Sequence, residues 1–114
     1  MHELSIAQFM VEEASRAAGS VGARTVRSVT ARIGVLAGVV PQALVFSWDI
    51  AAEGTICAGS SLLIDEVPIR VRCPQDGQVH TLSQPRFRCP VCDAPTTDLV
   101  SGRELELASL EWLP

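Results

Sequence analysis

Lysine, asparagine and tyrosine are all missing from these 114 residues, so every basic side chain is one of nine arginines. Three common residue types lost together read as coding bias rather than chemistry. Positive charge is also outnumbered: thirteen acids leave a net charge of −4, which argues against a nucleic-acid partner. No apolar run is long enough for a membrane. The longest, Val35 to Phe46, is broken by Pro41 and falls short of the roughly 20 residues a span needs. The start of the chain carries acids where a secretory signal needs a basic region, so a cytoplasmic protein is expected. Nothing pairs a nucleophile with a base, cradles a phosphate or opposes two carboxylates, so the chain is not read as an enzyme. Only four cysteines are present, and in a reducing compartment they are metal ligands or free thiols rather than disulfides.

What the chain does have is apolar residues at 47%, ample for one core with a small appendage. Glu3 to Ala18 has the period of an amphipathic helix. Ile6, Ala7, Met10, Val11, Ala14, Ala17 and Ala18 form its apolar stripe, and Gly19 its stop. Thr25 to Val35 alternates as a strand, with Val29, Ala31, Ile33 and Val35 on one face and Thr30 and Arg32 on the other. Gly34 and Gly38 bracket a turn. Pro41 suits the first position of a second helix, Pro41 to Glu53, whose core side is Leu44, Trp48 and Ala51. Ser61 to Arg72 predicts a second strand with a bulge near Glu66-Val67-Pro68, where the apolar parity slips. Gly102 to Trp112 predicts a third. The order gives an α+β fold, two helices on one face of a small, about three-stranded sheet. Residues 1–72 and 102–114 form this domain. Residues 73–101 form an inserted one, too polar to make a core and in need of a staple.

The staple is a cysteine cluster. Cys89-Pro90-Val91-Cys92 is a two-thiolate knuckle. Cys73-Pro74-Gln75-Asp76 repeats its spacing with an acid in the second ligand position, sixteen residues earlier. That is the layout of a zinc ribbon. Asp76 and His80 compete for the fourth place beside Cys73, Cys89 and Cys92. Carboxylate and imidazole are both acceptable zinc donors. Cys57 is remote in sequence and reads as a small packing residue. A redox pair is disfavoured because Asp93-Ala94-Pro95 follows where a helix should open. Arg70, Arg72, Arg86 and Arg88 suggest a basic patch, but Phe87 is the one aromatic there for a base to stack on. They read as the solvated edge of strands.

A second metal centre is written into Met1-His2-Glu3-Leu4. The α-amine, the His2 amide and the His2 imidazole close adjacent chelate rings, and the Glu3 amide supplies a fourth in-plane nitrogen. Tetragonal nitrogen sites favour Ni(II) or Cu(II) over Zn(II). A helix starting at Glu3 leaves its first amides without intrahelical acceptors, and deprotonated amides offset the positive end of its dipole. A histidine in a frayed terminus commonly has no role, so spacing alone does not assign the metal.

Taken in order, Met1-His2-Glu3-Leu4-Ser5, Val39-Val40-Pro41-Gln42-Ala43-Leu44, Glu53-Gly54-Thr55, Glu66-Val67-Pro68, the Cys89–Cys92 knuckle and Gly102-Arg103-Glu104-Leu105 resemble one family over nearly the whole chain. It is the HypA/HybF hydrogenase maturation factors. The resemblance implies a nickel metallochaperone that delivers Ni(II), its transient cargo, to the large subunit of a [NiFe]-hydrogenase with a partner maturation GTPase. It places nickel on Met1, His2 and Glu3, with Glu3 contributing its backbone and the Glu3 carboxylate an open addition. Structural Zn(II) falls on Cys73, Cys89 and Cys92, and the family's fourth cysteine falls at Asp76. No membrane or nucleic-acid partner is implied, and the chain is expected as a monomer or weak homodimer. The competing reading is a zinc-ribbon adaptor with no nickel chemistry.

Overall fold

The computed structural model describes residues 2–114, and Met1 lies outside them. In chain order it has α1 (Glu3–Ser20), β1 (Thr25–Gly34), a 3-10 turn (Val35–Ala37), α2 (Pro41–Ala52), β2 (Ser61–Val67), β3 (Ile69–Arg72), β4 (Val79–Leu82), β5 (Leu99–Ser101) and β6 (Leu105–Leu113). The strands form two three-stranded sheets, ordered β2-β1-β6 and β4-β3-β5. The chain divides into two compact units, residues 1–32, 39–65 and 106–114, and residues 33–38 and 66–105.

In the first unit, the 3.6-residue period of α1 buries Ile6, Ala7, Met10, Val11, Ala14 and Ala18. Ala17 falls off the flank of this stripe and is exposed. The helix runs through Gly19. It is Gly22, at φ +75°, that takes up the left-handed position just past its end, where the absence of a Cβ removes the steric penalty. The amides of Val21 and Ala23 both bond back to the Ala18 carbonyl, at 3.2 and 3.0 Å. Helix α2 opens on Pro41 and packs on α1, with Leu44, Ser47, Trp48 and Ala52 buried. Ala52, rather than the expected Ala51, is the fully enclosed alanine. Trp48 is completely buried, and its indole N–H donates to Ser60 Oγ at 2.9 Å, which removes the cost of enclosing an unpaired donor. Cys57 is fully buried too, its sulfur 3.7 Å from Ser15 Oγ. Strands β1 and β6 run antiparallel, since the Arg24 amide meets the Leu113 carbonyl at one end and Arg32 meets Glu106 nearer the other. On the solvent side Arg32 lies 3.8 Å from Asp65 and 3.1 Å from Glu106.

The expected single strand over 61–72 is two strands in different sheets. β2 ends at Val67, and Pro68 has no N–H to carry the ladder onward. β3 then pairs antiparallel with β4, Ile69 opposite Leu82 and Val71 opposite His80. Its other neighbour is β5, with Arg70 opposite Ser101. The parity slip at 66–68 therefore marks a change of sheet, not a bulge. The polarity of residues 73–101 predicts no core there. The second unit has one because its flanks supply it: Ile69, Val71 and Leu82 are buried, with Leu36 and Leu99 packed against them. Val35, assigned to the core face of the first strand, sits instead in the 3-10 turn and is exposed.

Within that second unit two glycines meet. The Gly34 amide donates to the Glu104 carbonyl and the Leu36 amide to the Gly102 carbonyl, both at 2.7 Å. A Cβ on Gly34 would lie 2.1 Å from the Gly102 oxygen and 2.5 Å from the Arg103 nitrogen. Both are backbone atoms, so strands must part to admit it. Gly34→Ala is expected to cost roughly 2–4 kcal/mol in denaturant unfolding. Gly19→Ala, with nothing within 4 Å of its Cβ, should instead gain about 0.5 kcal/mol. Equal unfolding midpoints for the two variants would refute the close crossing.

Candidate metal centres

Two segments of the second unit adopt the same turn. In Arg72-Cys73-Pro74-Gln75-Asp76-Gly77-Gln78, the Gly77 amide bonds to the Cys73 carbonyl at 3.0 Å and the Cys73 amide to the Gln78 carbonyl at 2.9 Å. In Arg88-Cys89-Pro90-Val91-Cys92-Asp93-Ala94, Asp93 bonds to Cys89 and Cys89 to Ala94, both at 2.9 Å. Each turn closes on a residue with positive φ, Gly77 at +71° and Asp93 at +62°. Each leading sulfur accepts an amide two residues on, Gln75 to Cys73 and Val91 to Cys89, both at 3.4 Å. Each preceding arginine braces its own turn: Arg72 Nη1 donates to the Gly77 carbonyl at 3.1 Å, and Arg88 Nη1 to the Asp93 carbonyl at 2.9 Å. The repeated Arg-Cys-Pro was legible in the sequence, but its arginines read as a solvated strand edge. Their role in these turns went unseen.

The equivalence puts Asp76 where the other turn has Cys92. Even the local donors match, with the Gln78 amide 2.7 Å from Asp76 Oδ1 and the Ala94 amide on the Cys92 sulfur. The Cys73 and Cys92 sulfurs are 3.5 Å apart. A tetrahedron with zinc–sulfur bonds of about 2.3 Å sets its sulfurs about 3.8 Å apart. Donor atoms of Cys73, Cys89 and Cys92 all lie within 4.8 Å of one another, as do those of Asp76, His80 and Cys89. All three cysteines are free, Cys73 and Cys89 buried and Cys92 exposed. His80, half-buried on β4, brings Nε2 within 3.4 Å of Asp76 Oδ2. The donor set fits zinc: three sulfurs within 4.8 Å of one another, one pair of them 3.5 Å apart, with a carboxylate and an imidazole beside Cys89.

The electrostatics favour a cation. The Cys92 amide, with that of Val91 adding to it, brings the Cys89 thiol down to about 7. The Ala94 amide pulls Cys92 the same way, but the neighbouring Cys73 sulfur, desolvation and Cys89 together push it up. The Gln78 amide holds the Asp76 carboxyl below its ordinary range against some desolvation, with His80 and Cys73 assisting. Amides thus draw out one thiolate while crowding resists the next, a conflict a divalent ion removes.

At the other end of the chain, His2 is exposed and extended (φ −101°, ψ 163°) as the N-cap of α1. Its carbonyl accepts the Ile6 amide at 3.3 Å, which leaves the amides of Glu3, Leu4 and Ser5 without intrahelical acceptors. The Glu3 carboxylate has a partner on α2. Its Oε2 accepts the Val40 amide at 3.3 Å. Met1 lies outside the described residues.

A family model described as hydrogenase/urease nickel incorporation, metallochaperone, hypA matches residues 1–112. The chain belongs to the HypA/HybF family of hydrogenase-maturation metallochaperones. Hydrogenase maturation factor HypA of Chloroflexus aurantiacus is 55% identical over 112 residues, 97% of this chain and 98% of that one. The HypA of a Roseiflexus species is 47% identical over 113 residues, covering 98% and 92%. The solution structure of the Ni metallochaperone HypA from Helicobacter pylori superimposes with a TM-score of 0.71 at 22% identity, over 99% of this chain and 98% of that one, a likeness of fold. HypA proteins are carriers rather than catalysts, so the chain is not an enzyme. Among the described residues no helix is long and apolar enough to cross a membrane.

The twin turns set a test. Cys89→Ala should release the zinc and expose the remaining thiols to a thiol reagent, while α1 and its sheet keep their circular dichroism. Asp76→Cys should hold zinc against a chelator at least about tenfold more tightly, since thiolate is the softer donor. If His80→Ala lost more zinc than Asp76→Ala, the imidazole would be the ligand and the equivalence of Asp76 with Cys92 would carry no coordination.

Proposed function

We propose that this member of the HypA/HybF family carries Ni(II) at its N-terminus, bound by the Met1 amine, the amides of His2 and Glu3 and the His2 imidazole. From there it delivers the ion to the large subunit of a [NiFe]-hydrogenase, together with a maturation GTPase, in the cytoplasm. Zinc, held by Cys73, Asp76, Cys89 and Cys92, is structural, and His80 orients the Asp76 carboxylate from behind. The nickel end belongs to the α+β part of the chain that carries α1 and α2, and the zinc to the cysteine ribbon.

The observation that carries this reading is the state of His2. It is exposed at the N-cap of α1 and makes no side-chain cap hydrogen bond, and the amides that follow it have no intrahelical acceptor among the described residues. A packing histidine would be enclosed or bonded. Four nitrogens in a plane around a d⁸ ion suit Ni(II) and leave both axial directions open to an acceptor protein. Removal of the ion needs only rearrangement of a terminus, not opening of a core.

Untagged protein should bind one Ni(II) per chain with the visible band of planar, diamagnetic nickel. His2→Ala, N-terminal acetylation or a fused N-terminal tag should each abolish that band and leave zinc content unchanged. Ligation requires the amine, imidazole and amides to surrender protons, so affinity should drop as the medium is acidified. Undiminished nickel binding by the acetylated chain would overturn the site and favour the zinc-ribbon adaptor.

A further inference from the structure

Helix α2 lacks every local device for closing its N-terminus except Pro41. Its N-cap is Val40, which has no side-chain acceptor, and its first turn contains no acid. In a capping box, a Glu or Gln at the third helical position bonds back to the N-cap amide. Here that position is Ala43, which cannot. The Val40 amide is satisfied from 37 residues away in sequence, by the Glu3 carboxylate at 3.3 Å. Glu3 is also the acid in the first turn of α1. One carboxylate therefore faces the positive ends of two helix dipoles.

This fixes what Glu3 can do at the terminus. Its side chain is committed to α2, while its backbone nitrogen, the first of α1, has no intrahelical partner. We propose that Glu3 is a positioning residue whose two ends serve different elements. The nitrogen goes to nickel, the carboxylate holds the Val40 amide, and filling of the terminus is thereby transmitted to the start of α2. The inference rests on the N-terminal nickel reading and adds to it a coupling between cargo and the α2 N-terminus. When the Glu3 amide loses its proton and turns into the nickel plane, the Cα–Cβ bond of the same residue must turn with it. The bond to Val40 then lengthens, tightens or rotates.

Planar Ni(II) is diamagnetic, so the Val40 amide can be followed by NMR during nickel titration of the untagged full chain. Its resonance should shift on loading in the wild type and in Glu3→Gln, which keeps a carbonyl acceptor. The shift should vanish in Glu3→Ala, while the nickel band stays in place because no side-chain oxygen is a ligand. Glu3→Ala combined with Ala43→Glu separates coupling from mere capping. The new glutamate should restore protection of the Val40 amide, yet that amide should remain blind to nickel. Before any nickel is added, Val40 amide exchange should be roughly tenfold faster in Glu3→Ala than in the wild type.

A displaced nickel band in Glu3→Gln or Glu3→Ala would make the carboxylate a ligand and overturn the proposal. So would an equal Val40 shift in Glu3→Ala. If acetylated wild type bound nickel as well as the free terminus, the coupling would fall together with the terminal site. The exchange rates of the nickel-free proteins would still show whether Glu3 caps α2.

Discussion

Three sulfurs within 4.8 Å of one another are the constraint around which residues 66–105 are built. Left without a cation, they conflict. The Cys92 and Val91 amides draw Cys89 toward its thiolate, while neighbouring sulfur and desolvation push Cys92 toward its thiol. Nothing in the apolar part of this unit is strong enough to impose such crowding. Three buried side chains, Ile69, Val71 and Leu82, with two partly buried leucines, are a small core. The local hydrogen bonds impose it instead. Each Arg-Cys-Pro turn fixes its cysteine through five-residue and six-residue backbone closures and an arginine brace. Two such turns set face to face bring their side chains together whether or not the charges agree. The candidate metal site is thus a consequence of main-chain geometry repeated twice, and a zinc ion bound there would turn its one unfavourable feature into the principal bond of the unit.

How much of this could be read in advance depended on the distance over which each signal acts. The stripe of α1 and the Pro41 start of α2 are local and were legible. So was the two-arm spacing of Cys73, Asp76, Cys89 and Cys92. The exchange of sheets at Pro68 was not. A parity slip beside a proline is what a bulge and a sheet change both look like in one strand, and only the partners of Ile69 and Val71 decide between them. For the same reason Leu99–Ser101 was hidden inside an apparently structureless insert. Three residues carry no period, and β5 exists because β3 offers it an edge. Arg72 and Arg88 failed differently. Their identity and spacing were plain, but an arginine's bond to a carbonyl five residues on leaves no mark that separates it from a surface charge.

The Glu3–Val40 bond had no local signal at all. Val40 is a poor N-cap and Ala43 a mute third position, so the sequence of α2 advertises a weakly closed helix. It does not say what completes it. Such a deficit is informative once the fold supplies the missing partner, because a helix end capped from another element has its stability tied to that element's position. A glutamate at 43 would have taken the Val40 amide from within α2 and left Glu3 with nothing to hold, whereas a serine at 40 would have capped later amides but not its own. The local weakness is the condition for the long-range contact.

The two proposed centres divide along the same line. Zinc would be held by side chains that the main chain has already placed, so its release would require two turns to come apart. Nickel would be held largely by the main chain itself, at the one place in a helix where amides lack acceptors. Each amide nitrogen must lose a proton to bind, and each regains it from solvent when the ion leaves. A site made this way exists only while it is filled, and it dissolves into an ordinary helix start once emptied. That suits a carrier better than a preformed side-chain cage, whose donors would remain in place to compete for the ion with any acceptor. The cost is weak preorganisation, and it falls to whatever steadies the first residues of α1. With His2 exposed and its carbonyl committed to Ile6, the Glu3 carboxylate on Val40 is a contact that steadies them from outside the helix.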